Sequence, residues 1–305
     1  MVWRLWTLVA CAPLVPVVHG PYPAVPVASG AGVRVAVVDS GVDPSNGQVA
    51  GRVAAGRGGR DCVGHGTAVA ASVLAVAPRA VIVPVRVGDG DPGDAGGVAR
   101  VAEGIRWAAG PGHAQVINIS LVVAADDRRV RSAVAEALGR GVVVVAAVGN
   151  QPGAGRRFPA GYPGVIGVGA ILSSGEPAPF SPAGPDVDLV AVGDGGTSFA
   201  AGFVSGAAAL VRERFPGASA GEVARRLAAT ADAGRRLNPY RAVTAAGSGP
   251  LAAPSPFRYA HSNVTPRRRA YWPVVAALGA GAVAAVIGAV VARARRRRWR
   301  PAAQL

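Results

Sequence analysis

The segment Val33-Arg34-Val35-Ala36-Val37-Val38 runs directly into Asp39-Ser40-Gly41. An almost unbroken β-branched run of this length is typical of a strand that is buried on both faces, as in a parallel sheet. Four other segments have the same character, namely Val81–Val85, Val116–Leu121, Val142–Ala146 and Val165–Val168. The sequence therefore predicts a parallel sheet whose first strand ends at Asp39.

Helical segments alternate with these strands, and they are Thr67–Val76, Val98–Ala109, Val130–Leu138 and Ser198–Phe215. Strands that alternate with helices predict a doubly wound α/β fold with a mostly parallel sheet. We expect this domain to span residues 31–246. Functional groups in such folds collect at the carboxyl ends of the strands. Asp39 and Asn150 follow strands there, while His65 and Ser198 each begin a helix.

The chain has 305 residues and a formal net charge of +15, and half of its residues are hydrophobic. A chain of this size and composition can bury a substantial core. A basic balance is also found in nucleic-acid-binding proteins, but no recognition-helix or base-stacking motif accompanies it here. Six of the arginines lie between Arg293 and Arg300, where contact with anionic lipid explains them better. We therefore predict no nucleic-acid partner.

Residues 1–20 are predicted to be a secretory signal peptide. Their apolar run, Leu5–Ala12, is too short to span a bilayer. The segment Leu8–Cys11 also resembles a lipobox, so lipidation of Cys11 remains an alternative. Loss of Cys11 with the signal peptide would leave Cys62 alone, and a single cysteine cannot form an internal disulfide.

The C-terminal region is predicted to anchor the chain in the cell membrane. Residues 272–292 contain no charged residue, and a run of about 20 apolar residues matches the hydrocarbon thickness of a bilayer. A Pro-, Gly- and Arg-rich linker, residues 247–271, precedes this transmembrane helix, and a basic tail, residues 293–305, follows it. The signal peptide and the positive-inside rule together predict a single-pass protein with an extracytoplasmic domain and a cytoplasmic tail.

Ser198 and His65 are candidate catalytic residues, although each has an ordinary structural explanation. Ser198 begins a helix that is apolar on all sides, where a serine is usually an N-cap. His65 lies between two glycines at the start of another small-residue helix and could be structural. Asp39 and Asn150 could simply form turns. Because the structural explanations require four coincidences in one region of the fold, the combination favours a catalytic site.

Four motifs resemble those of the subtilisin-like (S8) serine proteases: VAVVDSGVD around Asp39, GHGTAVA around His65, AAVGN ending at Asn150 and GTSFAAGFVSGAAAL around Ser198. The order Asp, His, Ser is that of subtilisins, and differs from that of chymotrypsin-like and α/β-hydrolase enzymes. The resemblance implies a catalytic triad of Asp39, His65 and Ser198, with Asn150 donating to the oxyanion. It also implies an endopeptidase whose substrate is a protein or peptide.

The same resemblance assigns substrate contacts to two segments. Ser120 and Leu121 are similar to the edge segment that pairs with the substrate backbone as an added strand. The segment from Ala147 to Gly149 is similar to one wall of the pocket for the residue before the scissile bond. The expected substrate-binding residues are therefore Ser120, Leu121, Ala147 and Gly149.

A closer resemblance is to the mycosins, the subtilisin-like proteases of type VII secretion systems. It rests on the order of signal peptide, protease domain, linker, helix and basic tail, and on the motifs at residues 61–67 and 162–170. It implies association with a type VII secretion complex in the membrane. Cys62 matches a disulfide position of the family, but we expect it to lack a partner here.

Two other classes of function are alternatives to a serine protease. The first is a subtilase fold that braces a secretion complex, with proteolysis weak or dispensable. The second is dinucleotide binding through Val33–Gly41, which the missing Gly-x-Gly-x-x-Gly turn disfavours. We predict no cofactor and no metal, because Asp89, Asp91 and Asp94 lack the spacing of an EF-hand loop and are better explained as a polar turn.

Overall fold

The alternating segments form a six-stranded sheet flanked by helices in a computed structural model, which describes residues 13–153 and 155–246. The strands are β1 (Arg34–Asp39), β2 (Val81–Arg86), β3 (Val116–Ile119), β4 (Val143–Ala147), β5 (Ile166–Ile171) and β6 (Leu189–Val192). The helices are α1 (His65–Val76), α2 (Ala95–Ala109), α3 (Arg128–Gly139), α4 (Thr197–Arg214), α5 (Ala220–Ala229) and α6 (Pro239–Thr244), with a 3-10 turn at Ala233–Arg235.

The strand order is β2-β1-β3-β4-β5-β6, and all of these neighbours pair in parallel. The chain runs from β1 outward to β2 and then returns to β3 on the other side of β1, so the winding reverses between β1 and β3. In doubly wound folds, ligands bind in the crevice at the carboxyl ends of the strands at such a point. Asp39 ends β1 and Ser120 follows β3, so both lie beside this crevice.

Side chains of each strand alternate between two core layers. In β1, Val35 and Val37 belong to the layer of α1 and α4, whereas Ala36 and Val38 belong to the layer of α2 and α3. All four side chains are fully buried. Burial on both faces explains why the strands read as unbroken apolar runs. The predicted α/β fold with a parallel sheet is confirmed.

Helices α1 and α4 approach each other closely through two glycines of α4. A Cβ atom on Gly202 would lie 2.7 Å from the Cβ of Ser72, and one on Gly206 would lie 2.6 Å from the carbonyl oxygen of Val73. Only a residue without a Cβ fits at either position. Because His65 begins α1 and Ser198 lies in the first turn of α4, this contact controls the separation of the two candidate catalytic side chains.

Residues 13–30 lie along the surface of the domain. The ring of Tyr22 packs edge-on against Phe203 of α4, with 5.7 Å between ring centroids. The carboxylate of Glu213, also in α4, accepts hydrogen bonds from the backbone N–H groups of Ser29 and Gly30, each at 2.6 Å. The segment before β1 is therefore fixed to α4 by both apolar and polar contacts.

Part of the predicted signal peptide falls within this segment. The N–H of Val18 donates to Gln48 Oε1 at 2.7 Å, and the carbonyl of Pro16 accepts from Gln48 Nε2 at 3.1 Å. Residues 1–12, the linker 247–271, the segment 272–292 and the tail 293–305 lie outside the described residues. Among the residues that the structure describes, no helix is both long and apolar enough to cross a bilayer. The signal peptide and the membrane anchor stay predictions.

The five predicted strands and four predicted helices are all present, with ends within three residues of those expected. The strand predicted to reach Leu121 stops at Ile119, because Val123 beyond it pairs with Phe158 instead. Strand β6 and helices α5 and α6 were not predicted. Strand β6 and helix α6 have only four and six residues, too few to show a clear periodicity, whereas the ten residues of α5 do carry an amphipathic pattern.

Substitution of Gly206 by alanine is expected to lower the free energy of unfolding by about 1–3 kcal/mol, because the new methyl group overlaps the backbone of α1. Gly139→Ala is the matched control, since Gly139 ends α3 with open space around its Cβ position. That substitution should be neutral or stabilise the chain by about 0.5–1 kcal/mol. Urea unfolding of the full-length variants measures both effects, and equal stabilities would contradict the close helix contact.

Candidate active site

A cavity of about 280 Å³ opens at the carboxyl edge of the sheet, between β1 and β3. The predicted site residues that line it are Asp39, His65, Ser120, Leu121, Asn150 and Ser198. The loop from Gly88 to Asp91, which follows β2, forms another part of the wall. The fold thus brings together residues from six separate parts of the sequence at one crevice.

Asp39 and His65 form a hydrogen-bonded pair, with 2.7 Å between Asp39 Oδ1 and His65 Nδ1. The side chain of Asp39 is 3% exposed and that of His65 is 40% exposed, so the carboxylate is buried while part of the imidazole reaches solvent. Oxygen Oδ2 of Asp39 is buried and has no hydrogen-bond partner among the described residues. The pair fixes the ring so that Nε2 is left for other chemistry.

The pKa of His65 lies above its ordinary value. Burial by itself would lower it, but the hydrogen bond and the negative charge of Asp39 oppose that effect. The charges of Asp61 and Asp91 also raise this pKa. The imidazole therefore holds a proton more readily than a free histidine, because its surroundings are acidic.

Ser198 lies in the first turn of α4 and is nearly buried. Its hydroxyl donates to the carbonyl oxygen of Ser120 at 3.3 Å. The hydroxyl has one hydrogen, so it does not donate to His65 at the same time. Hydrogen bonds of this kind are often unformed in an empty site and form when a substrate binds.

Asn150 stands in the turn after β4, with its amide held by the start of α4. Its Oδ1 accepts hydrogen bonds from the N–H of Thr197 at 2.8 Å and from the Thr197 hydroxyl at 3.1 Å. These bonds orient the side chain and leave the Nδ2 group as a donor. Because Asn150 lines the cavity beside Ser198, that donor is available to an oxygen atom bound there.

Asp61 organises the loop before α1, a role that the sequence did not reveal. It is completely buried. Its carboxylate accepts hydrogen bonds from the N–H groups of Val63 (3.1 Å), Gly64 (2.8 Å) and Thr67 (2.9 Å) and from the hydroxyls of Ser40 (3.0 Å) and Thr67 (2.6 Å). Burial opposes ionisation, but these hydrogen bonds prevail and lower its pKa.

The network around Asp61 reaches the candidate catalytic pair through Ser40. The Ser40 hydroxyl lies 3.0 Å from Asp61 and 3.1 Å from Asp39, and it accepts a hydrogen bond from the N–H of Gly66 at 2.9 Å. One serine therefore connects the end of β1 to the first turn of α1. Asp61 and Ser40 position Asp39 and His65 relative to each other.

The predicted substrate-binding residues separate into two groups. Ser120 and Leu121 line the cavity, as expected of an edge segment. Ala147 is instead buried in the core layer of α1 and α4, at 2% exposure. Gly149 is half-buried, and its N–H donates to the Thr197 hydroxyl at 3.2 Å. A role for Ala147 and Gly149 in substrate binding stays a prediction.

Cys62 is disulfide-bonded, which corrects the expectation that it lacks a partner. The sequence holds one other cysteine, Cys11, which lies outside the described residues. A Cβ on Gly64 would lie 3.0 Å from the carbonyl oxygen of Leu14, so the chain just after Cys11 passes beside the loop that carries Cys62. The expectation failed because it treated residues 1–20 as removed.

The chain is similar to known proteins over its described domain. Residues 30–249 match the subtilase family, Peptidase_S8. The thermostable alkaline protease of Halalkalibacterium halodurans is 34% identical over 66% of this chain and 63% of its own length. Mycosin-4 of Mycobacterium tuberculosis is 35% identical over 66% of this chain and 60% of its own length. The matches thus span about three fifths of each of these relatives.

A solved structure shares the fold. The MycP3 protease from the type VII (ESX-3) secretion system superimposes with a TM-score of 0.62 at 29% identity. The superposition covers 77% of this chain and 91% of that structure. The similarity therefore extends over nearly the whole of the solved protease.

Substitution of Asp61 by asparagine is expected to lower the free energy of unfolding by about 2–3 kcal/mol. The amide cannot accept all of the bonds that the carboxylate accepts, and its NH₂ group faces backbone donors. Asp94→Asn is the matched control, because Asp94 caps α2 by accepting from the N–H of Gly97 and asparagine caps equally well. Urea unfolding of the full-length variants compares the two, and a loss below about 0.5 kcal/mol for Asp61→Asn would contradict the positioning role.

Proposed function

The chain belongs to the subtilase family, and we propose that it is a serine endopeptidase with Asp39, His65 and Ser198 as its catalytic triad. The observation that carries this proposal is the hydrogen-bonded pair of Asp39 and His65 in one cavity with Ser198. Three residue types with complementary chemistry meet there in the chain order of subtilisins.

In the proposed reaction, the Ser198 hydroxyl leaves the Ser120 carbonyl and turns towards His65 Nε2. The imidazole takes the hydroxyl proton while Ser198 Oγ bonds to the carbonyl carbon of the substrate. Asp39 keeps the proton of the neutral ring on Nδ1 and stabilises the imidazolium that forms. The burial of Asp39 strengthens this electrostatic stabilisation.

The tetrahedral oxyanion would accept a hydrogen bond from Asn150 Nδ2. That side chain is already oriented by Thr197, so little reorganisation is required when the negative charge develops. The imidazolium of His65 then returns its proton to the leaving amine as the peptide bond breaks. A water molecule, activated by His65 in the same way, hydrolyses the ester on Ser198 and restores the free enzyme.

The proposal extends to the place of the enzyme in the cell. We propose an extracytoplasmic protease domain on a single membrane anchor, residues 272–292, in association with a type VII secretion complex. The support is the similarity to mycosin-4 and to a protease from a type VII secretion system, together with the apolar C-terminal segment. The substrate class that follows is a protein or peptide outside the cytoplasm.

A fluorophosphonate probe is expected to label the full-length protein at Ser198. Ser198→Ala should abolish labelling, whereas Ser174→Ala, which changes an exposed serine of the β5–β6 loop, should leave it unchanged. Asn150→Ala should lower kcat on a peptide substrate by about 10²–10³-fold through loss of an oxyanion donor. Labelling that is absent, or that survives Ser198→Ala, would overturn the proposed function.

The acid limb of the pH–activity profile is expected above the ordinary histidine pKa of about 6.5. His65 must be neutral to act as a base, and its raised pKa means that acidification protonates it at a higher pH. The kcat/KM of the full-length enzyme, or the rate of probe labelling, measures this midpoint. A midpoint at or below about 6.5 contradicts the expected environment of the base.

The same shift has a consequence for stability. A pKa raised in the folded state means that the protonated imidazole stabilises folding. This contribution is fully present below the unfolded pKa of His65 and is lost as the pH rises through its folded pKa. The contribution of His65 to folding is thus largest below its unfolded pKa, where the proposed base is protonated and inactive.

A further inference from the structure

One carboxylate of the cleft has no part in the proposed reaction. Asp91 lines the same cavity as the candidate triad. Its Oδ1 accepts a hydrogen bond from the backbone N–H of Val122 at 2.7 Å. The three carboxylates of this loop thus have different partners, because Asp89 pairs with Arg86 at 2.6 Å and Asp94 caps α2.

Val122 belongs to the edge segment beside Ser198. The Ser198 hydroxyl bonds to the carbonyl of Ser120, two residues earlier. The next residue, Val123, exchanges both of its backbone hydrogen bonds with Phe158. Because successive N–H groups of an extended chain point to opposite edges, the N–H of Val122 faces the other edge, which is the side of the cleft.

A substrate that adds to this edge as a strand needs the backbone N–H of Val122, which now donates to Asp91. Strand addition supplies affinity through main-chain hydrogen bonds, so a substrate carbonyl would take over the N–H of Val122. The carboxylate of Asp91 would then lose its hydrogen bond while standing next to the bound strand. A new partner for it must come from water or from the substrate.

The charge balance of the cleft favours a cationic partner. Asp89 has an arginine partner and Asp39 has His65, but the described partner of Asp91 is a neutral amide. Asp39 adds to the negative potential, since its buried Oδ2 has no hydrogen-bond partner among the described residues. A positively charged side chain that enters this wall would meet the carboxylate of Asp91, whose described partner carries no charge.

We propose that Asp91 is a specificity-determining residue that selects substrates with an arginine or lysine side chain on the acyl side of the scissile bond. When the substrate carbonyl accepts from the N–H of Val122, Asp91 loses that hydrogen bond. The cationic side chain of the substrate then donates a charge-assisted hydrogen bond to the Asp91 carboxylate. The Asp91 carboxylate repels an acidic side chain at the same position. With an apolar side chain there, only water can donate hydrogen bonds to this carboxylate. The inference deepens the proposed function, because it names the substrate class of the same site.

The test compares peptides that differ in one side chain. Fluorogenic peptides carry arginine, its uncharged isostere citrulline, or glutamate at each of the four positions before the scissile bond. For the full-length protein we expect one position where kcat/KM for arginine exceeds that for citrulline about tenfold and that for glutamate about a hundredfold. The preference should weaken as salt is raised from about 0.05 M to 0.5 M, because salt screens exposed charges.

The variant Asp91→Asn should reduce the arginine-to-citrulline ratio to about one. Asp94→Asn is the matched control, because it removes the same charge from the same loop while preserving the cap of α2. It should retain the full ratio. Equal kcat/KM for the three peptides at every position, or a ratio that Asp91→Asn leaves intact, overturns the inference.

Two further measurements separate this inference from the proposed function. Binding of the same peptides to Ser198→Ala, followed by fluorescence anisotropy, reports the charge preference without turnover. Probe labelling of Ser198 without any charge preference overturns the inference and leaves the proposed function standing. Preferential binding of the arginine peptide without probe labelling supports the specificity of the cleft and overturns the proposed catalysis.

Discussion

The close contact between helices α1 and α4 is the constraint on which the rest of the site depends. Gly202 and Gly206 let the backbone of α4 approach Ser72 and Val73 of α1 at distances that no side chain would allow. The proposed base lies at the start of one helix and the proposed nucleophile in the first turn of the other. The distance between two backbones therefore sets the distance between two reacting atoms.

The carboxylates of the site have different roles because their surroundings differ. Asp61 has its oxygens saturated by backbone N–H and hydroxyl donors, so it is a fixed anion that shapes a loop. Asp39 shares one oxygen with His65 and keeps the other without a partner among the described residues, so its charge acts on the imidazole. Asp91 is exposed, holds only an edge amide in the described part of the chain, and is free to exchange that partner.

The sequence predicted the strands that are buried on both faces, because such burial requires a nearly continuous run of apolar residues. The runs that became β1 and β4 could be identified because β4 is entirely apolar and β1 is apolar between its end residues Arg34 and Asp39. Two elements were not predicted, because four to six residues show too little periodicity: the strand Leu189–Val192 and the helix Pro239–Thr244. The candidate catalytic residues were predicted from their order and motifs. The role of Asp61 could not be predicted, since it depends on loops that meet only in three dimensions. The disulfide of Cys62 was missed because residues 1–20 were expected to be removed.

The contact between α1 and α4 also determines when during synthesis the site can assemble. A chain made from its N-terminus contains Asp39 and His65 early, but Ser198 follows only after all six strands. Helix α1 therefore lacks its partner until most of the domain exists, and contacts between such distant segments form slowly. A chain that is still being made carries two members of the proposed triad without the third, so by the proposed mechanism it cannot cleave itself or its neighbours before folding is complete.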